Sequence, residues 1–400
     1  AFGVDDHVEA NRRANDVLFG PRDGGGAGEG GVHGELLSLL RAFRGVEFLV
    51  LVGGDDIVPM ARIVDGANLL PESEYIRRDE LDPEALPGDA AYTAVARALA
   101  GDTFLSDDPI ALRHAVDRDA MGRSLFLPDL AVGRLVETPE EMRTVIDAFI
   151  DIDGNVDITD DGDVLVTGYD FLVDVASGLE ARWRESLEPG RVYSLITDGE
   201  NDPDPWRSDD LEMALCAEDP PEVVSFSGHA HHRGEGVPGV DFTDIQAFDA
   251  DALAGACGPR RLAGRVLYSA GCHAGLPVPG TSSSSAADKP AATRDLPQTY
   301  LGLGAIAYVA NSGYGWGLTG GIGYSERLVQ ILTEELTTGD GGGVGRAVGR
   351  AVADAKLRYY LETLYYDAYD AKTLMQWTFY GLPMTTLSGG FGAGDELPPP

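Results

Sequence analysis

The sequence predicts an α/β protein whose central sheet is parallel and flanked by helices. Three observations carry that expectation. From residue 163 onward short apolar runs alternate with stretches of helical periodicity, at 164–167, 173–187, 192–196, 209–216 and 223–227. Strand and helix in that alternation imply parallel strands joined by crossover helices. Upstream, helical periodicity over 36–43 leads into a continuous apolar run at 46–52 that Gly53, Gly54, Asp55 and Asp56 terminate, which reads as a helix feeding a buried strand. Finally, 400 residues at 44% hydrophobic composition are enough for one large core or two smaller ones.

In chain order, residues 1–31 are rich in Gly and Asp and read as a flexible arm or long loop. A strand is expected over 124–132. Thr138 with Glu141 three positions later forms a capping box for a helix reaching about residue 150. Residues 151–163 read as a linker, so an N-terminal α/β subdomain over 1–155 is expected to precede a second subdomain over 156–400. Two further strands follow at 265–269 and 305–310, then helices at about 324–336 and 344–364. Between those strands, 276–295 is a Pro/Ser/Ala stretch too polar for a core, and loops of this length are usually functional or disordered.

Charge narrows the range of partners. Sixty-six acidic residues stand against 30 basic ones, a net charge of −36, and the only lysines are Lys289, Lys356 and Lys372. Such a surface repels nucleic acid and anionic membranes. Because the acid is spread along the whole chain, it resembles the salt-adapted surface of a halophile's protein more than an acidic binding tail. No stretch reaches the roughly 18–20 apolar residues of a membrane span. The chain begins at Ala1 with no basic segment and apolar run after it, so any secretion signal was removed or never present. Cys216, Cys257 and Cys272 cannot all pair, so at least one thiol is free; Cys216 and Cys257 sit in plain surroundings and read as structural.

Two apolar strands end in reactive side chains. VVSFSGHAHH carries Gly228 and His229, and VLYSAGCHAG carries Gly271 and Cys272. In an open parallel sheet ligands bind at the carboxyl ends of strands, so both groups would face one crevice. Small residues on either side of Cys272 let backbone and substrate approach closely. An imidazole beside a thiol supports attack on a carbonyl, and turn amides, here those of Gly228 and Cys272, can hold the resulting oxyanion. Papain-like enzymes and α/β-hydrolases place the histidine after the nucleophile. Here His273 is the last histidine, and as the direct neighbour of Cys272 it would point away from it. His229 is therefore the expected base, while His231 and His232 read as solvent-facing loop residues.

The segments FLVLVGGDDIVPMARI, LPDLAVGRLVETPEEM, the Gly-His and Cys-x-x-Gly strand ends, GAIAYVANSGYGWG and FYGLPMTTL stand in order along residues 36–387. This series resembles the gingipain-type cysteine peptidases of the caspase/haemoglobinase-like clan. The family's Gly-His-Gly is here Gly228, His229, Ala230, and its Gly-Asp-Pro is Gly381, Leu382, Pro383. The resemblance implies a caspase-haemoglobinase-like fold with a smaller N-terminal subdomain and a catalytic subdomain over 156–400. It also implies cysteine endopeptidase activity on protein or peptide substrates, with no cofactor required, and it favours an extracellular setting. It assigns the acid that orients the histidine to Asp129, and the substrate pocket to Trp316 or Tyr314 with Ser312 beside them. Arg or Lys before the cleaved bond is its default specificity. Calcium is compatible with the resemblance and with the many carboxylates, although no loop has EF-hand spacing.

Two other readings compete. His229, His231, His232, Cys272 and His273 supply nitrogen and sulfur donors for a zinc hydrolase, but a His-x-His-x-Asp-His site needs aspartate where Arg233 stands. A caspase-fold binding module without catalysis is the other, and intact Cys272 and His229 speak against it. The charge makes its own prediction: molar KCl shortens the Debye length from about 10 Å at 0.1 M to about 3 Å and screens carboxylate repulsion. The melting temperature should rise from low to molar KCl; a flat or falling one contradicts a salt-adapted surface.

Overall fold

The computed structural model describes residues 7–21, 30–78, 90–114, 125–158, 163–187, 191–197, 202, 205–238, 248–278, 294–339 and 344–389. Eight strands form one sheet: β1 (Phe48–Val52), β2 (Ala131–Leu135), β3 (Val164–Tyr169), β4 (Val192–Thr197), β5 (Val223–Ser227), β6 (Val266–Ser269), β7 (Ala307–Asn311) and β8 (Trp377–Gly381). Their order is β1-β2-β8-β7-β6-β5-β3-β4. Neighbours are parallel except at the β7–β8 seam, where the N-terminal strands join the rest of the sheet through an antiparallel pair.

Every residue of β3, β5, β6, β7 and β8 is buried. That is why these strands read as continuous apolar runs, since crossover helices cover both faces of a parallel sheet. Helix Val173–Ser186 connects β3 to β4, and helix Ser208–Leu215 connects β4 to β5. Helix Pro139–Asp151 starts at the Thr138–Glu141 capping box. Cys216 and Cys257, just past helices Ser208–Leu215 and Ala250–Ala256, are joined in a disulfide.

The structure departs from the sequence expectation in several elements. Helix His7–Phe19 occupies much of the expected flexible arm, because Ala10, Ala14 and Leu18 form a buried stripe at i, i+4, i+8; residues 22–29 lie outside the described ones. The strand expected over 124–132 begins only at Ala131, since Pro128 offers no amide to a ladder and the Asp129 and Leu130 amides bond to the Ala111 carbonyl. In the expected linker, Asn155–Asp157 pairs with Thr386–Ser388, which also pairs with Val344–Ala347 ahead of helix Val348–Glu362. Most of the 276–295 stretch, 279–293, lies outside the described residues.

Buried ion pairs bind residues 107 and 108 to β2 and to helix Val348–Glu362. Asp107 holds Arg134 of β2 at 2.6 Å, and Asp108 holds Lys356 at 2.7 Å. Among the described residues no helix is long and apolar enough to cross a membrane.

A hairpin after β5, Ala230–His231 with Gly234–Glu235, buries Glu235 against Ser269 at the carboxyl end of β6 and against Tyr308 of β7. Ser269 Oγ lies 3.2 Å from one of its oxygens and Tyr308 Oη 3.3 Å from the other. Burial dominates these two contacts and pushes the carboxyl from near 4.5 up to about 8. Between those values the unfolded chain releases a proton that the folded chain keeps, so this group lowers stability as pH rises. Glu235→Gln should therefore gain stability over the parent progressively from pH 5 to pH 8 in denaturant melts. A difference independent of pH would mean that Glu235 is ionised in the fold.

Candidate functional site

The chain leaves β3 for the edge strand β4 and returns to β5 on the other side of β3, so the carboxyl ends of β3 and β5 flank a topological switch point. β3 is followed by Asp170, β5 by Gly228 and His229, and the adjacent β6 by Gly271 and Cys272. Ser269 stands opposite Phe226 in the parallel register. Beyond it the two turns touch: a Cβ on Gly271 would fall 2.4 Å from that of Ala230 and 3.2 Å from the Gly228 carbonyl. Glycine is required there by close approach.

Three consecutive residues from the end of β3 frame the histidine. The Tyr169 hydroxyl accepts the His229 amide at 3.1 Å, Asp170 Oδ2 lies 3.0 Å from His229 Nε2, and the Phe171 ring sits 5.5 Å from the imidazole. Asp170 reaches this place with φ +57°, a left-handed conformation that turns its carboxylate back over the strand ends. Burial lowers the imidazole pKa and Asp170 only partly opposes it. Cys272 is half-buried, with Sγ 3.5 Å from the Gly315 carbonyl, and desolvation pushes its thiol up to about 11. Both shifts favour a neutral imidazole and a protonated thiol at rest.

The carboxylate that meets His229 is Asp170 and not Asp129. Asp129 lies before the first residue of β2, where it accepts the Arg113 amide at 2.9 Å and stands 3.6 Å from His114. His232, expected in solvent, is buried because helix Glu72–Arg78 packs over its loop and Tyr75 Oη lies 2.6 Å from its Nδ1. His231 Nδ1 accepts the Arg233 amide, and burial first, then Arg233, holds that imidazole down to about 4. His273 points away from Cys272 as expected, with Nε2 on Glu72 at 2.7 Å. The rings that a zinc site would need are thus held by different partners. Among the described residues no group of three or more His, Cys, Asp or Glu is arranged to hold a metal ion.

Of the three residues assigned to a substrate pocket, Ser312 is buried and donates its hydroxyl to the Leu105 carbonyl at 2.5 Å, so it ties the loop to the N-terminal part. Tyr314 is also interior, its ring 4.5 Å from that of His273. Trp316 is half-buried, packs against the same apolar cluster as Cys272 and meets Tyr369 edge-on at 4.9 Å. Sequence reasoning missed Glu326, which is 0% exposed. Its Oε2 accepts the Leu318 and Gly323 amides at 3.0 Å each, while Oε1 has no hydrogen-bond partner. Gly317 separates that oxygen from Phe171: a Cβ there would lie 2.6 Å from Oε1 and 2.8 Å from the Phe171 ring.

Comparison with known proteins bears on the fold and the family. No curated protein matches the chain. Among solved structures, the complex of Porphyromonas gingivalis RgpB pro- and mature domains superposes with a TM-score of 0.56 at 12% identity, over 96% of this chain and 77% of that one. The Arg specific cysteine proteinase gingipain R superposes with a TM-score of 0.54 at 11% identity, over 95% of this chain and 74% of that one. At such identities the likeness speaks for the fold, a caspase-haemoglobinase-like sheet between helices with a smaller subdomain. The sequence pattern of Peptidase family C25 matches residues 41–388, nearly the whole described chain, and the chain belongs to that family.

Proposed function

We propose that this protein is a cysteine endopeptidase in which Cys272 is the nucleophile, His229 the base and Asp170 the residue that orients the base. The observation that carries the reading is the meeting of three strand ends at the switch point, with Asp170 on His229 Nε2 and the Cys272 turn packed on the His229 turn. With Nε2 held by Asp170, proton transfer falls to Nδ1. The thiol proton passes to Nδ1 as Sγ bonds to the peptide carbonyl carbon and its oxygen becomes an oxyanion. The amides of Gly228 and Cys272 are the proposed donors to that oxyanion; the amides on either side of Cys272 are already taken, Gly271 by Ser269 Oγ and His273 by the Gly313 carbonyl. When the oxyanion collapses, the C–N bond breaks and the imidazolium proton leaves with the amine. Water then attacks the thioester, giving one proton to Nδ1, and the C–S bond breaks to return the thiol and the carboxylic acid product.

Glu326 extends the reading to specificity. Burial pushes its carboxyl up to about 7, and its unpartnered oxygen suits a cationic side chain entering past Gly317 and Phe171. Arg specificity, stated for gingipain R, fits the same chemistry. Arg or Lys before the cleaved bond is therefore the proposed preference.

Cys272→Ala should abolish peptide hydrolysis in a folded protein, and His229→Ala should lower kcat by about 10²–10⁴-fold. Thiol alkylation should stop turnover and a chelator should not. Unchanged turnover in Cys272→Ala removes the mechanism. A library varied at the residue before the cleaved bond should select Arg or Lys, and Glu326→Gln should erode that preference with less effect on neutral residues. Selection of an apolar or acidic residue would overturn the role of Glu326 and leave the mechanism standing.

A further inference from the structure

The N-terminal helix Glu72–Arg78 presents two buried side chains one turn apart, Glu72 and Tyr75, to both loops of the proposed site. Glu72 Oε2 accepts from His273 Nε2 at 2.7 Å, and its Oε1 accepts from Lys372 Nζ at 2.6 Å and from the Tyr314 amide at 3.0 Å. One carboxylate thus holds the residue after Cys272 and the residue before Gly315, whose carbonyl faces the thiol. The Tyr75 ring lies flat on His273, centroids 3.5 Å apart and planes 9° apart. Its hydroxyl accepts the His232 amide at 3.0 Å and lies 2.6 Å from His232 Nδ1, three residues beyond His229. Lys372 is also held by Asp65 at 2.6 Å, so the charges sit in a closed network.

We infer that Glu72 and Tyr75 are positioning residues of the reaction: they clamp the nucleophile turn and the histidine loop in one mutual geometry, an inference that rests on the peptidase reading above. Two features favour positioning over plain stability. A fully buried charged cluster is seldom more stable than an apolar replacement of the same volume, so its directional bonds are its distinctive product. The residue it grips, His273, holds φ +54°, a conformation an L-residue keeps only when its surroundings enforce it, and Cys272 stands immediately before it. A misplacement of about 1 Å at a reacting group can cost about 10²-fold in rate.

The test compares Glu72→Gln and Tyr75→Phe with the parent on one peptide substrate, together with the rate at which iodoacetamide alkylates Cys272. Tyr75→Phe keeps the stacked ring and removes only the hydroxyl, so it serves if Glu72→Gln does not fold. Both variants should lose about 10–100-fold in kcat with KM within about threefold of the parent. Tyr75→Phe changes no charge and should also leave the alkylation rate within about threefold, whereas Glu72→Gln removes a carboxylate that raises the Cys272 thiol and leaves Lys372, which lowers it, so its alkylation should be no slower than the parent's. Folded variants with parental kcat would overturn the inference while leaving the peptidase reading intact. Loss of fold in both would reduce the clamp to a stability element and overturn it as well. A parent protein without turnover would remove the peptidase reading, and this one with it.

Discussion

The parallel pairing of β5 with β6 is the constraint on which the site depends. It sets Ser269 opposite Phe226, and the two chains leave the sheet side by side into turns that touch at Gly271, Ala230 and Gly228. Because side chains alternate between faces of a strand, a slip of one residue would carry Cys272 to the other side of the sheet from the crevice. Asn311 at the end of β7 guards this register with its side-chain amide on the Ala270 and Gly271 carbonyls, at 3.0 and 3.1 Å. The N-terminal part then grips the same turns from beyond the sheet through Glu72 and Tyr75, so a residue far upstream in sequence helps shape the loop that carries the thiol.

The electrostatics follow from burial at these strand ends. Desolvation raises the Cys272 thiol and lowers the His229 imidazole, so the proposed pair rests uncharged. In the proposed mechanism, thiolate forms as the substrate carbonyl accepts it, which limits idle reactivity of the thiol toward solvent electrophiles. Glu72, in contrast, is held down to about 2: burial alone would raise it, and Lys372 together with His273 more than reverses that effect. The clamp is therefore anionic throughout the range in which a peptidase would work.

Much of the fold is legible in the sequence because local signals agree with tertiary structure. The 223–227 run is β5 to the residue, the Thr138–Glu141 capping box opens its helix, and the Gly-His and Cys-x-x-Gly strand ends lie in contact. What escaped depends on partners distant in the chain. Asp170 occupies the same kind of strand end that singled out His229 and Cys272, but assignment by resemblance led to Asp129 instead; the strand-end rule applied to β3 would have found it. β8, Trp377–Gly381, is rich in strand formers like the other buried strands, but its antiparallel seam with β7 has no local signature. Burial of His232 and the free oxygen of Glu326 likewise exist only once helix Glu72–Arg78 and the 316–323 loop are folded over them.

The most direct measurement of the central claim is to treat the protein with a peptidyl chloromethyl ketone bearing a basic residue next to the warhead, and to map the adduct by mass spectrometry as hydrolysis decays. The account predicts one adduct per chain, a thioether on Cys272, formed in step with loss of turnover. An adduct elsewhere that abolishes turnover, or a fully modified Cys272 with turnover preserved, would contradict it.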